Sequence, residues 1–178
     1  MELMSKIRNA TKAAVERDGG SYEPHPAEKV IDTMIGLGRP SKLKGAGFYE
    51  YADGKRTGLW TGLAEQFPAA PGGPSGQPDF EDLKDRLLFI EAVETARCFD
   101  EGVIESSAAA NIGSIMGIGF PALTGGAAQF MQGYEGPAGT GLTGFVARAN
   151  ELAEKYGDRF TPPSYLTELA ENGGKLPA

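Results

Sequence analysis

A mainly α-helical chain with one short β-hairpin is what this sequence predicts, and three observations predict it. Apolar residues recur at helical spacing in most segments. Helix-starting residues precede these runs and glycines follow them. Strand character is confined to residues 47–60, where Asp53-Gly54 supplies a two-residue turn.

In chain order, Leu3, Ile7, Ala10 and Ala14 share one helical face and Gly19-Gly20 ends the run. Pro24 and Pro26 introduce a second helix with Val30, Ile31, Met34 and Ile35 on one side and Gly36 as its stop. Gly47 to Tyr51 reads as a strand and Lys55 to Trp60 as its return. A lone hairpin is marginal in water, so Phe48, Tyr49 or Trp60 is expected to pack on helices. The stretch Pro68-Ala-Ala-Pro-Gly-Gly-Pro-Ser-Gly-Gln-Pro78 carries four prolines and three glycines and reads as a linker. The expected organisation is residues 1–67, a linker over 68–79, and residues 80–178.

Beyond the linker, Asp79 or Asp82 caps a long helix to about Gly102, with Leu83, Leu87, Leu88, Ile90, Ala92, Val93, Ala96 and Phe99 on a broad apolar face. Ser106 or Ser107 starts the next, facing inward through Ile112, Ile115 and Met116. A short helix from Gly125 to Gly133 follows. Thr143 opens a helix with Phe145, Val146, Ala149, Leu152, Ala153 and Tyr156 in register and Gly157 after its end. Thr161-Pro162 starts the last, with Leu166, Leu169 and Ala170 inward and Gly173-Gly174 as terminator.

Net charge is −7 over 178 residues, which argues against nonspecific nucleic-acid binding and adhesion to anionic membranes. No run is long and apolar enough to span a bilayer, and Met1 to Arg8 has no apolar signal core, so the cytoplasm is the expected compartment. The single cysteine, Cys98, forbids an internal disulfide and reads as a buried structural thiol. The single histidine, His25, lies between two prolines and reads as a turn residue, so hydrolase triads and histidine relays have no base. Glu91, Glu94 and Asp100 read as solvated and no metal site is expected. The run Gly113 to Gly119 follows a helical pattern, whereas a dinucleotide fingerprint needs strand, tight turn and helix. Arg39, Lys42, Lys44, Lys55 and Arg56 gather five cations within 18 residues. They read first as a solvated face, with contact to a nucleotide phosphate as the competing reading.

One longer pattern is specific in its order. Gly36-Leu-Gly-Arg-Pro-Ser-Lys-Leu-Lys-Gly-Ala-Gly-Phe-Tyr-Glu-Tyr51 resembles the Gly-Arg-x-x-x-Lys-x-Gly-x-Gly-Phe-Tyr-x-Tyr signature of 3-hydroxyacyl-CoA dehydrogenases, with one extra residue before Lys44. Glu91 to Val103, Gly117-Ile-Gly-Phe-Pro121, Gly125-Gly126 and Tyr156-Gly-Asp-Arg-Phe-Thr-Pro162 are similar, in order, to that family's second C-terminal helical domain in its long multifunctional form. The resemblance covers roughly residues 30–172, and Glu105 to Asn111 departs from the family's acidic version of that segment.

The resemblance implies the C-terminal helical portion of an enzyme that oxidises 3-hydroxyacyl-CoA to 3-oxoacyl-CoA with NAD in fatty-acid β-oxidation. The family's catalytic residues and its Rossmann domain lie upstream of the matching segments, so no catalytic or NAD-binding residue carries over. The chain alone is expected to be inactive, as a C-terminal fragment or a truncated reading frame. Its implied partners are the upstream Rossmann and enoyl-CoA hydratase domains, a second copy in a homodimer, and a thiolase subunit. Lys42, Lys44, Lys55 and Arg56 are its candidate contacts to CoA phosphates. Read from the residues alone, the alternatives are a small helical interaction module without catalysis and an independent acyl-CoA binder.

Overall fold

The computed structural model describes residues 1–68 and 76–178. Most of the linker stretch therefore lies outside the described residues. The architecture is mainly helical, with eight α-helices among the described residues and two small antiparallel hairpins. The described residues form two compact units, Met1–Gln77 and Pro78–Ala178.

The first unit holds α1 (Glu2–Arg17), α2 (Pro26–Gly36), β1 (Tyr49–Ala52), β2 (Lys55–Leu59) and α3 (Leu63–Gln66). His25 caps α2: its Nδ1 accepts from Ala27 N–H, while its own N–H donates to Glu28. A capping box thus gives the lone histidine a structural task in the turn. Tyr22 also donates to Glu28, and this bond, with the His25 amide, holds the Glu28 carboxyl below its ordinary range. Ile31 and Met34 of α2 are buried as the spacing predicts. No residue of α1 is buried, and Leu3, Met4 and Ile7 stand in solvent.

The hairpin forms where expected, with Asp53 and Gly54 both in the left-handed region its tight turn requires. Its anchoring differs from the expectation. Arg39 donates to the carbonyls of Gly47 and Tyr49, pairs with Glu50 at 3.0 Å and lies 4.4 Å from the Trp60 ring centre. One guanidinium thus ties strand, turn and aromatic ring together, leaving Phe48 exposed and Trp60 only half-buried.

The second unit is built on α4 (Phe80–Asp100), which Asp79 caps. Around it lie α5 (Ser107–Gly113), α6 (Ala127–Gln132), α7 (Gly141–Tyr156) and α8 (Ser164–Glu171). Phe89, Ala92, Val93 and Ala96 of α4 meet Phe145, Ala149 and Leu152 of α7, Met131 of α6 and Leu166 of α8 in one core. Phe89 stacks on Phe145 with ring centres 4.4 Å apart, and Phe130 and Tyr134 meet both edge-on. The C-terminal residues close this unit: Leu176 is buried and Ser107 donates twice to the Pro177 carbonyl.

Several expectations need correction. Leu83 and Leu87 are exposed, and the residue buried on that turn of α4 is Asp82. Ile112 on α5 and Met116 on the π-turn over Ser114–Ile118 that follows it are exposed too. Ser114 is buried in their place, donating to the Asn111 carbonyl and accepting from Ala127 N–H. The last helix starts at Ser164, not after Thr161, since each of two consecutive prolines holds its predecessor extended. Cys98 and Glu91 are both half-buried, where a buried thiol and a solvated carboxylate were expected. A second hairpin, β3 (Glu135–Gly136) with β4 (Gly139–Thr140), was not foreseen. It presses so closely on α7 that a Cβ at Gly144 would overlap the backbone of Gly139.

Candidate functional site

The first unit carries the cations that the sequence singles out. Lys42 and Lys44 sit on a single 3₁₀ turn that Gly45 ends in the left-handed region, and Lys55 and Arg56 open β2. All four are exposed, and among the described residues none pairs with a carboxylate. Arg56 is steadied by the Tyr49 ring, 4.6 Å away. Arg39, the fifth member of the cluster, is removed from it by its structural bonds. The fold therefore leaves four solvated positive groups on a turn and a hairpin of one unit.

The second unit carries a polar centre that sequence reasoning missed. Arg148, buried on α7, bonds three carboxylates: Asp82 at 2.6 Å, Asp85 at 2.8 Å and Glu151 at 3.0 Å. Asp82 also accepts from Lys155 at 3.2 Å and from the Tyr156 hydroxyl at 2.8 Å. These bonds, Arg148 first and Tyr156 next, outweigh burial and pull the Asp82 carboxyl down to about 2. Burial opposes the charge of Arg148, but its bonds to Asp82, Glu151 and Asp85 more than offset this and raise its pKa. Tyr156 is raised as well, chiefly by donating to Asp82. Arg86 stacks over the Tyr156 ring at 4.4 Å and covers this end of the network. Each of the three carboxylates is ion-paired, so the network ties α4 to α7 and leaves none of them a free base for proton transfer.

Beside the network opens a cleft of about 800 Å³. The start of α4, the end of α6 with Tyr134, and the β3–β4 turn line it, Arg148 and Asp85 among the residues they bring together. The only hint in the sequence was the acidic start of α4, since the arginine that answers it lies 63 residues beyond Asp85.

The cofactor that the resemblance implies does not fit these residues. Dinucleotide binding requires a strand, a tight glycine turn and a helix within a parallel sheet. The strands described here form two antiparallel ribbons, and Gly113 to Gly119 lies on the end of α5 and its π-turn.

No family model matches the chain. Curated relatives do. It is 33% identical over 147 residues to the fatty acid oxidation complex subunit alpha of Vibrio vulnificus, a stretch covering 83% of this chain and 19% of that protein. The subunit alpha of Vibrio cholerae is 32% identical over 147 residues, and that of Shewanella loihica 31% over 166 residues, or 91% of this chain and 22% of the relative. The chain is a distant homologue of one region of this subunit. It spans about a fifth of the length of the relatives it matches. Among the described residues no helix is long and apolar enough to cross a membrane.

Proposed function

We propose that this chain is the C-terminal helical portion of an NAD-dependent 3-hydroxyacyl-CoA dehydrogenase of fatty-acid β-oxidation, working in the cytoplasm. The observation that carries the reading is the 147-residue match to a fatty acid oxidation complex subunit alpha. In this reading the helices wall the cleft in which the acyl chain lies, and NAD and the catalytic residues belong to a Rossmann domain packed against them. An enoyl-CoA hydratase domain, a second copy and a thiolase subunit are the further partners.

Exposed apolar residues support a packing role. Phe80, Leu83 and Leu87 form one stripe along α4, and Leu3, Met4 and Ile7 another on α1. Lys42, Lys44, Lys55 and Arg56 are the proposed contacts to CoA phosphates, supported by their exposure and their freedom from carboxylate partners among the described residues.

The purified chain tests both parts together. Given 3-hydroxyacyl-CoA and NAD it is expected to form no NADH above the enzyme-free rate. Turnover at an ordinary enzyme rate would overturn the scaffold role. Its affinity for CoA, measured by titration calorimetry, is expected to fall roughly tenfold when Lys42 and Lys44 are both changed to Glu. Unchanged affinity would remove these residues from the site.

A further inference from the structure

The hairpin of the first unit is closed along one edge and open along the other. On the β1 side the Tyr49 carbonyl accepts from Gly47 N–H and from Arg39, and Glu50 bridges to Ala46. On the β2 side no strand pairs among the described residues, and every residue of β2 is exposed. Trp60 donates its N–H to the Phe48 carbonyl, so Leu59, at the alternate position opposite Tyr49, turns its own N–H and carbonyl outward. Outward groups of this kind are what an added strand pairs with.

Side chains decide which strand that is. The register shift between Glu50 and Tyr51 puts Arg56 and Leu59 on one face: Arg56 lies over the Tyr49 ring, and Leu59 stands 62% exposed opposite the same residue. Arg39 covers the other face through Glu50 and Trp60. With Glu50 engaged, the hairpin sets only Asp53 of its turn against Lys55 and Arg56. Cations on an edge oppose pairing with a like strand, so a second copy, which brings the same Lys55 and Arg56, is disfavoured there. An acidic strand meets them with the matching sign.

We propose that β2 takes an added strand from a partner protein, an extended segment in which acidic residues stand beside an apolar one. Its backbone continues the ladder at Leu59, its carboxylates pair with Lys55 and Arg56, and its apolar side chain lies on Leu59. This goes beyond the dehydrogenase reading, which gives Lys55 and Arg56 to CoA phosphates and leaves the open backbone edge unused.

Titration calorimetry on the full chain tests this with the capped peptide Thr-Val-Thr-Asp-Glu-Thr. A control peptide carries two lysines in place of its acidic residues, and two further versions are N-methylated at odd or at even positions, which keeps the charges and removes ladder donors. The acidic peptide is expected to bind and the lysine peptide not to bind. One of the two N-methylated versions is expected to bind roughly tenfold more weakly. Changing Lys55 and Arg56 together to Gln is expected to weaken the acidic peptide about fivefold. Hydrogen exchange at the Leu59 amide is expected to slow when the acidic peptide is added, which charge attraction alone does not produce. Parallel titration with CoA separates the two readings: peptide binding without CoA binding supports this proposal alone, and CoA binding without peptide binding overturns it alone. Equal binding of the lysine peptide, full affinity of both N-methylated versions, or an unchanged Leu59 amide would also overturn it. So would slowing of that amide at high protein concentration without peptide, which would assign the edge to a second copy.

Discussion

Replacing Arg148 by Met is expected to cost the second unit about 3–5 kcal/mol of stability at neutral pH, because it leaves the largely buried Asp85 without its ion-pair partner and Asp82 without its strongest one. Methionine keeps much of the aliphatic packing, so the loss reads the charge and not a cavity. Its pH dependence has a definite sign. The folded carboxyl of Asp82 titrates at about 2, below an unfolded aspartate near 4, so its stabilising contribution is complete above roughly pH 5 and disappears as pH falls through the folded value. In the variant that carboxyl has lost its strongest partner and takes up a proton more readily. The gap between parent and variant should therefore hold above about pH 5 and shrink as pH falls from there to pH 3. Urea unfolding followed by far-ultraviolet circular dichroism at several pH values measures it. A gap under about 1 kcal/mol, or one that does not change with pH, would show that the network does not hold α4 to α7.

Phe89→Ala is expected to lose a similar amount, about 3–5 kcal/mol, by a different route. Phe89 is fully buried, stacked on Phe145 and met edge-on by Phe130 and Tyr134, so its removal opens a cavity where four aromatic rings converge. The neighbours sit on α4, α6 and α7 and cannot collapse inward without moving whole helices. Leu87→Ala, two residues earlier on the same helix, removes an exposed side chain and should stay within about 0.5 kcal/mol of the parent. A helical reading that placed Leu87 inside would predict the opposite order. Urea midpoints for the two variants decide between them.

That contrast shows what was legible in the sequence. Helical spacing located nearly every helix, and it found the buried face of α7 through Phe145, Val146, Ala149 and Leu152. On α4 it found Ala92, Val93, Ala96 and Phe99 but failed at the first turns, because apolarity cannot report a partner distant in the chain. Leu83 and Leu87 look like core by their chemistry, while Asp82 goes inside because Arg148 and Tyr156 wait there. Past α4, Ile115 is half-buried as its spacing suggests, but Ile112 and Met116 face solvent and Ser114 goes inside, because its hydroxyl meets the Asn111 carbonyl and the Ala127 N–H. The second hairpin escaped notice because strands of two residues carry no alternation to read. For the sites, the basic residues of the first unit were visible as a cluster in sequence. The cleft of the second was not, since its walls come from the start of α4, the stretch from α6 to the β3–β4 turn, and Arg148 of α7, which are far apart in the chain.

The most direct test of the account is a replacement experiment. The 147-residue segment of the Vibrio vulnificus subunit that matches this chain is exchanged for its counterpart here, and NAD reduction with 3-hydroxyacyl-CoA is followed beside the unaltered subunit. The account predicts that the hybrid oxidises 3-hydroxyacyl-CoA at a rate of the same order as its parent. A hybrid that folds and binds NAD as its parent does, yet reduces none, would contradict it.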